Sequence, residues 1–364
     1  MNHLGNWKNG ELGDFVTLKR GFDLPQQKRE DGQVPIFSSS GITGTHSTAM
    51  VKAPGVITGR YGTIGEVFYA AKDFWPLNTT LFVEDFHGND AKFIYYFLKT
   101  LEWSKFTSAS AVPGINRNTV HKEIVSLPDI ETQRRIASTL SMFDEKIKIN
   151  TEINDNLADL LQTIYQGRFG NDILAVNQGV LSDICSYSTD KVAVSELNVR
   201  TYFSTENMLS GKAGSTEATS LPTTSQTTAC HKGDTLISNI RPYFKKIVYC
   251  EDKCGCSTDV LCFTPSQPCY SAYLFSTLYA DKFFAFMVAG SKGTKMPRGD
   301  KQQIMTYPVV LPSEEELAGF NTIASPLLEQ IYSNRAENKR LSILRDTLLP
   351  KLMSGEIDVS AVQL

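Results

Sequence analysis

Residues 127–165 read LPDIETQRRIASTLSMFDEKIKINTEINDNLADLLQTIY, and residues 311–349 read LPSEEELAGFNTIASPLLEQIYSNRAENKRLSILRDTLL. Placed in register without a gap, 184 positions apart, the two stretches repeat a set of residues. Leu127, Pro128, Glu131, Ser141, Glu145, Asn150, Asn154, Leu157, Leu160 and Thr163 recur as Leu311, Pro312, Glu315, Ser325, Glu329, Asn334, Asn338, Leu341, Leu344 and Thr347. Spacings of four and three mark a stripe in the first copy: Ile136, Leu140, Phe143, Ile147, Asn150, Asn154, Leu157, Leu161 and Ile164. The second copy has Phe320, Ala324, Leu327, Ile331, Asn334, Asn338, Leu341, Arg345 and Leu348. This is a heptad seam, and a helix with so narrow an apolar stripe must bury it on another helix. Acid follows each proline, Asp129 and Glu131 in one copy and Glu314 to Glu316 in the other, where the positive end of a helix favours it. Gly167, Gly170 and Gly355 are the expected stops. Helices of roughly 38 residues, about 57 Å long, are expected. Each is the natural partner of the other, and a twofold-related duplication makes the pair antiparallel. Asn150, Asn154, Asn334 and Asn338 would then meet in one central layer and set the register.

Outward from the repeats lie two segments of another character, 1–127 and 171–311. Short apolar or alternating runs stand between Gly, Pro, Ser and Asn clusters: Gly55–Thr58, Glu66–Ala70, Thr80–Val83, Thr235–Ser238, Lys246–Tyr249 and Val260–Phe263. These predict strands and turns. One helix is expected in each segment, over 91–105 and over 271–286. The order is globular, helix, globular, helix.

Bulk properties narrow the function classes. The 364 residues are 41% hydrophobic and 21% charged, as in an ordinary globular protein. No apolar run approaches the ~20 residues of a membrane span. The opening MNHLGNWKNGEL lacks a signal core, so a cytoplasmic chain is expected. The net charge of −3 is unevenly spread. Residues 1–128 hold 13 basic and 12 acidic residues, and 170–312 again 13 and 12. The helical segments 129–169 and 313–364 hold 5 and 7, and 5 and 8. A nucleic-acid surface must therefore come from local clustering on the globular segments.

Catalytic signatures are missing. There is no phosphate loop, no HExxH helix and no Asp/Asn-Pro-Pro-Tyr/Phe methyltransferase sequence. Gly59-Arg-Tyr-Gly62-Thr-Ile-Gly65 is G-x-x-G-x-x-G, which reads as turn chemistry and not as a dinucleotide fingerprint. All seven cysteines (185, 230, 250, 254, 256, 262 and 269) lie in the second half. The C-x3-C-x-C spacing of 250–256 is not that of a zinc site, so reduced thiols on strands and no metal are expected.

In their order along the chain, these features resemble the specificity subunit of a type I restriction-modification system. The resemblance is carried by Gly59 to Gly65 with the following Phe74-Trp-Pro-Leu-Asn78 and Thr79-Thr80, and by Ser108 to Thr119. It continues through Leu127-Pro128, Glu131-Thr-Gln133-Arg-Arg-Ile136 and the ending Leu344 to Ile357, and it spans essentially the whole length. The second segment departs from it. Ser238-Asn-Ile-Arg-Pro-Tyr-Phe-Lys-Lys246 replaces the glycine turn, Gly290 to Gly299 replaces the stretch before the junction, and the second helix lacks the counterpart of Gln133.

The resemblance implies an α+β chain of four parts: target recognition domain 1 (1–127), spacer helix 1 (128–169), target recognition domain 2 (170–311), and spacer helix 2 with the tail (312–364). The helices would pair as an antiparallel coiled coil with pseudo-twofold symmetry. It implies a non-catalytic DNA-binding subunit that reads a bipartite sequence in double-stranded DNA. Two modification (methyltransferase) subunits and the restriction/translocase subunits would be its partners. S-adenosylmethionine, ATP and Mg would belong to those partners and not to this chain. Base reading needs polar and cationic side chains on groove-sized loops. The candidates are Ser39, Ser40, Thr43, His46, Arg60, Tyr61, Asn116 and Arg117 in the first segment. In the second they are Asn239, Arg241, Tyr243, Lys245, Lys246, Lys292, Lys295 and Arg298. Lys245, Lys246 and the run from Lys292 to Arg298 fit phosphates better than bases.

Overall fold

In the computed structural model, residues 7–107, 113–170 and 177–359 are described. Both heptad segments are helical, over Ile130–Tyr165 and Glu314–Met353. Asp129 caps the first, its carboxylate accepting from the amides of Glu131 and Thr132 at 3.0 Å. Ser313 and Glu316 form a reciprocal capping box on the second. The first helix closes in a wider turn over Gln166–Gly170, and the second stops before Gly355, which takes a φ of 73°.

Two compact units divide the chain, one of residues 1–148 and 338–364, the other of residues 149–337. The division falls inside both long helices, so each unit holds part of each. In the first unit Asn338 Nδ2 donates to the carbonyl of Ile147 at 3.3 Å, and Arg345 pairs with Asp144 at 2.5 Å. Leu349 and Leu352 share a core with Ile136 and Leu140. Numbers rise along one helix as they fall along the other, so the halves pair antiparallel. The second unit pairs the same way. Asn334 Nδ2 donates to Asn154 Oδ1 at 2.9 Å, Asn150 Nδ2 to Glu337 Oε2 at 2.7 Å, and Tyr165 packs on Phe320. Asn150, Asn154 and Asn334 are buried, and each asparagine of the seam has a hydrogen-bond partner. Arg345 is tolerated in the seam because Asp144 faces it and also accepts from Tyr96 Oη.

The globular part of each unit repeats one plan. In the first, an antiparallel sheet is ordered Thr17–Arg20, Thr80–Asp85, Gly55–Gly59, Val67–Ala70. In the second, the order is Cys185–Tyr187, Val260–Pro265, Thr235–Ser238, Ile247–Tyr249. A smaller sheet lies beside each, built on Val34–Ser38 and Gly41–His46 in one unit and on Gln226–Cys230 and Cys254–Cys256 in the other. A two-stranded ribbon, Lys8–Glu11 with Ile124–Leu127 or Gln178–Val180 with Pro308–Val310, leads into each long helix. The helix expected over 91–105 ends at Thr100, followed by a single turn over Trp103–Phe106. The one expected over 271–286 is two helices, Ser271–Tyr279 and Asp281–Ala289, because Ala280 turns extended at ψ 140°.

The joint between head and helix differs between units. In the first, buried Gln133 accepts from the amide of Asp90 at 3.0 Å and donates to Asn89 Oδ1 at 2.8 Å and the Pro128 carbonyl at 2.9 Å. In the second, Leu317 occupies the equivalent helical position and joins Leu181, Phe283 and Phe320 in an apolar core.

Candidate nucleic-acid interface

In each unit a loop that carries interface candidates follows the third strand of the main sheet. In the first unit this strand is Gly55–Gly59 and the loop after it is Arg60–Glu66. Arg60 and Tyr61 are anchored through their amides to the Thr79 carbonyl at 2.9 and 3.3 Å. The loop meets the stretch before the short helix Arg117–His121: the Ile115 amide donates to the Arg60 carbonyl at 3.0 Å, and Tyr61 bridges Gly114. Glycine is required at these contacts. A Cβ on Gly59 would stand 1.9 Å from the Thr63 carbonyl oxygen, and one on Gly114 would stand 2.2 Å from the Tyr61 ring. Gly62 and Gly65 take left-handed φ values of 76° and 82°. The Arg60 guanidinium lies over the Tyr61 ring, 4.5 Å from its centroid.

Ser39 borders the same loop, its carbonyl oxygen 3.1 Å from where a Gly59 Cβ would be. Ser40 reaches Ser38 Oγ at 3.1 Å, and the Thr43 carbonyl accepts from Arg29. Asn116 caps the short helix by accepting from the Asn118 amide at 3.0 Å, and Arg117 follows it at the surface. His46 is placed differently from the expectation. It is 5% exposed, Nδ1 accepts from the Glu30 amide at 3.1 Å, and the ring stands edge-on to Trp75. A buried, engaged ring holds the hairpin together, and we leave it out of the interface. Sequence reading passed over Ile42 on that hairpin, which is 65% exposed.

The second unit has the same two loops with different contents. After Thr235–Ser238 the chain runs through Asn239–Lys246 and meets Lys292–Arg298, with bridges between Ile240 and Arg298 and between Lys292 and Arg298. The Arg241 amide donates to the Pro297 carbonyl at 2.8 Å, and its guanidinium reaches the Lys295 carbonyl at 3.5 Å. Arg241 and Lys245 are left-handed at φ 50° and 51°. A side chain in that region costs about 1–2 kcal/mol, so surrounding contacts must hold it. The cations are tied down. Lys245 pairs with Asp281 at 3.0 Å, Lys246 donates to the Thr205 carbonyl at 2.6 Å, Lys292 pairs with Asp300 at 2.5 Å, and Arg298 with Asp259 at 2.9 Å. Lys212 and Lys245 together hold the Asp281 carboxyl below the usual carboxylate range. Lys295 is exposed. Asn239, at 7% exposure, is a framework residue whose carbonyl accepts from the Gly299 amide. Tyr243 is 51% exposed, and sequence reading passed over its neighbour Phe244, at 38%, and Met296 on the adjoining loop, at 52%. Their signal was a proline-led aromatic pair and a methionine inside basic loops.

Cys230, Cys250, Cys254, Cys256 and Cys262 share one buried core with Met208, and Cys250 Sγ and Cys254 Sγ are 3.5 Å apart. Among the described residues no group of three or more ligand-type side chains has the geometry to hold a metal ion.

Residues 5–158 match the family described as the type I restriction modification DNA specificity domain. That stretch is similar to a type I DNA specificity domain. The chain's likeness to specificity subunits reaches further. It is 22% identical over 336 residues to the type I restriction enzyme MjaIX specificity subunit of Methanocaldococcus jannaschii, covering 75% of this chain and 70% of that one. It is 29% identical over 99 residues to the HindI specificity subunit of Haemophilus influenzae, covering 26% of this chain and 22% of that one. The crystal structure of the type I restriction-modification S subunit from M. genitalium aligns with a TM-score of 0.64 at 20% identity, covering 97% of both chains. The chain thus resembles type I specificity subunits and has their fold. The specificity-domain match takes in the globular part of the first unit and most of the first long helix. No helix among the described residues is long and apolar enough to cross a membrane.

Proposed function

We propose that this chain is the DNA-reading subunit of a type I restriction-modification complex, and that each unit reads one half of a bipartite sequence in double-stranded DNA. The observation that carries this reading is the repeated loop pair. Both units present, at the end of the same sheet strand, one loop bridged to the stretch before the following ribbon, and both pairs hold clustered polar and cationic side chains. The proposed contacts are Ser39, Ser40, Thr43, Arg60, Tyr61, Asn116 and Arg117 in one unit, and Arg241, Tyr243, Lys245, Lys246, Lys292, Lys295 and Arg298 in the other. Residues 1–127 and 170–311 are the proposed target recognition domains, and 128–169 and 312–364 the spacer with its tail. The seam asparagines set the pairing register, because a shift would leave buried amides unpartnered.

Catalysis belongs to partners in this reading, with S-adenosylmethionine, ATP and Mg bound by the modification and restriction subunits. Leu160 and Leu344, equivalent in the repeat, are both about half exposed, at 47% and 50%. A leucine repeated outside the seam is a surface feature kept twice, and it supports two equivalent docking sites for two modification subunits.

Methylome sequencing of a host that carries the chain with its modification partner tests this. Two short half-sites separated by a fixed number of unspecified bases are expected. A single uninterrupted motif, or methylation that does not depend on the chain, would overturn it.

A further inference from the structure

The loop Arg241–Lys245 has an unusual build. Non-glycine residues sit in the left-handed region at both of its ends, and Pro242 fixes φ between them. Five backbone hydrogen bonds pin it: Arg241 N to Pro297 O at 2.8 Å, Phe244 N to Arg241 O at 2.9 Å, Lys245 N to Pro242 O at 2.9 Å, Gly211 N to Phe244 O at 2.8 Å and Lys212 N to Lys245 O at 2.9 Å. Pro242 is buried. All this holds two neighbouring rings, Tyr243 and Phe244, out toward solvent with centroids 4.8 Å apart. Strain maintained by surrounding contacts is characteristic of ligand-contacting segments. A strained loop that exposes two aromatic rings does not serve the core.

The surroundings identify the occupant. Lys246 Nζ lies 6.0 Å from the Phe244 ring, and Arg241, Lys292, Lys295 and Arg298 stand on the same pair of loops, so the apolar tip is set in a cationic frame. Met296, on the adjoining loop, adds a third exposed apolar side chain. A polyanion with apolar faces inside its charged exterior fits this frame, and base pairs stacked between phosphate backbones are such a ligand. Apolar side chains entering between base steps partly unstack them and kink the duplex.

We infer that Tyr243 and Phe244 form a rigid aromatic wedge that enters the base stack in the half-site read by the second unit, opening one base step and kinking the duplex there. This rests on the DNA-reading function proposed above. Among the described residues the first unit has no counterpart at the equivalent loop, because its Tyr61 lies against Gly114 beneath Arg60. The deformation is therefore confined to one half-site, and the wedge discriminates by the ease of opening a step as well as by contacts to base edges.

The test uses the full chain with its modification partner and duplexes that carry the methylome-defined sequence. 2-Aminopurine is placed at each step of each half-site in turn, and bending is read by energy transfer between end labels. The parent complex raises emission severalfold at one step of the second unit's half-site and brings the ends closer. The double variant Y243A/F244A loses both signals and binds about tenfold more weakly. F244L, which keeps an apolar wedge, retains part of the bend. Lys246→Ala weakens binding and leaves the emission pattern in place. Unchanged thermal unfolding of each variant shows that the loop substitutions leave the fold intact. Emission or bending that persists in the double variant, as from a base flipped by the modification subunit, overturns the wedge. So does specific binding by the parent with no step opened. A parent complex that does not bind duplex at all overturns the DNA-reading function itself.

Discussion

The two units share a sheet order and a bridged loop pair, yet they shape the loop after the third strand in opposite ways. The first uses glycines. Gly59 and Gly114 allow close approach, Gly62 and Gly65 supply the left-handed turns, and Tyr61 lies down under Arg60. The second has no glycine between Ser238 and Lys246, and places Arg241 and Lys245 in the left-handed region instead. Its rings stand up. The sheet and the bridges hold the ends of each loop, while the interior is free to be flat or protruding. A scaffold of this kind can carry different readers on one framework.

Substitutions that exchange features between units test that contrast. The largest effects are expected at the joints. Gln133→Leu leaves the Asp90 amide and the Pro128 carbonyl without their partner and should lower stability by about 2–3 kcal/mol. Leu317→Gln buries an amide in the apolar joint of the second unit and should cost about as much, 2–3 kcal/mol. Chemical denaturation measures both. Full stability in either variant would mean the two joints are interchangeable. Next is Gly59→Ala, whose Cβ meets the Thr63 carbonyl. A cost of about 1–3 kcal/mol is expected, with loss of discrimination in one half-site only. Thermal unfolding and the methylated sequence report the two effects. Smaller still is a matched pair. Gly62→Ala should destabilise by about 1 kcal/mol, whereas Lys245→Gly should show no loss, since relief of the left-handed strain offsets the added chain entropy. Equal effects in the pair would refute the contrast between the loops. A small effect on stability is also expected for Arg298→Ala, below about 1 kcal/mol because its ion pair is exposed. Its signature is on DNA, where the salt dependence of binding becomes shallower for all sequences alike.

Much of the fold was legible from the repeat. A heptad seam in two copies has one economical solution within a chain, and Pro128 with Asp129 and Pro312 with Ser313 mark where the helices start. The strands Gly55–Gly59, Thr80–Asp85, Thr235–Ser238 and Val260–Pro265 were legible because each is a buried apolar run between turn residues. The break at Ala280 was not, because alanine is a good helix former and tertiary packing turned it extended. The smaller sheets were also missed. Their strands are short and mixed in composition, and Lys191–Ala193 carries no period of its own. The positions of the loop residues follow strand order, so Arg60, Tyr61, Arg241 and Lys246 could be singled out by type and proximity to a strand end. Burial is a tertiary property, and so His46 and Asn239 looked like their exposed neighbours. Phe244 and Met296 were overlooked because apolar residues in loops read as minor core.

The account stands on one reading surface per unit. Its most direct test compares the methylated sequences of hosts carrying Arg60→Ala or Arg241→Ala with that of the parent. The expectation is a division of labour: Arg60→Ala relaxes one half-site, Arg241→Ala relaxes the other, and the spacing between halves is unchanged in both. If either variant alters both halves, or both variants alter the same half, the two units do not read separately.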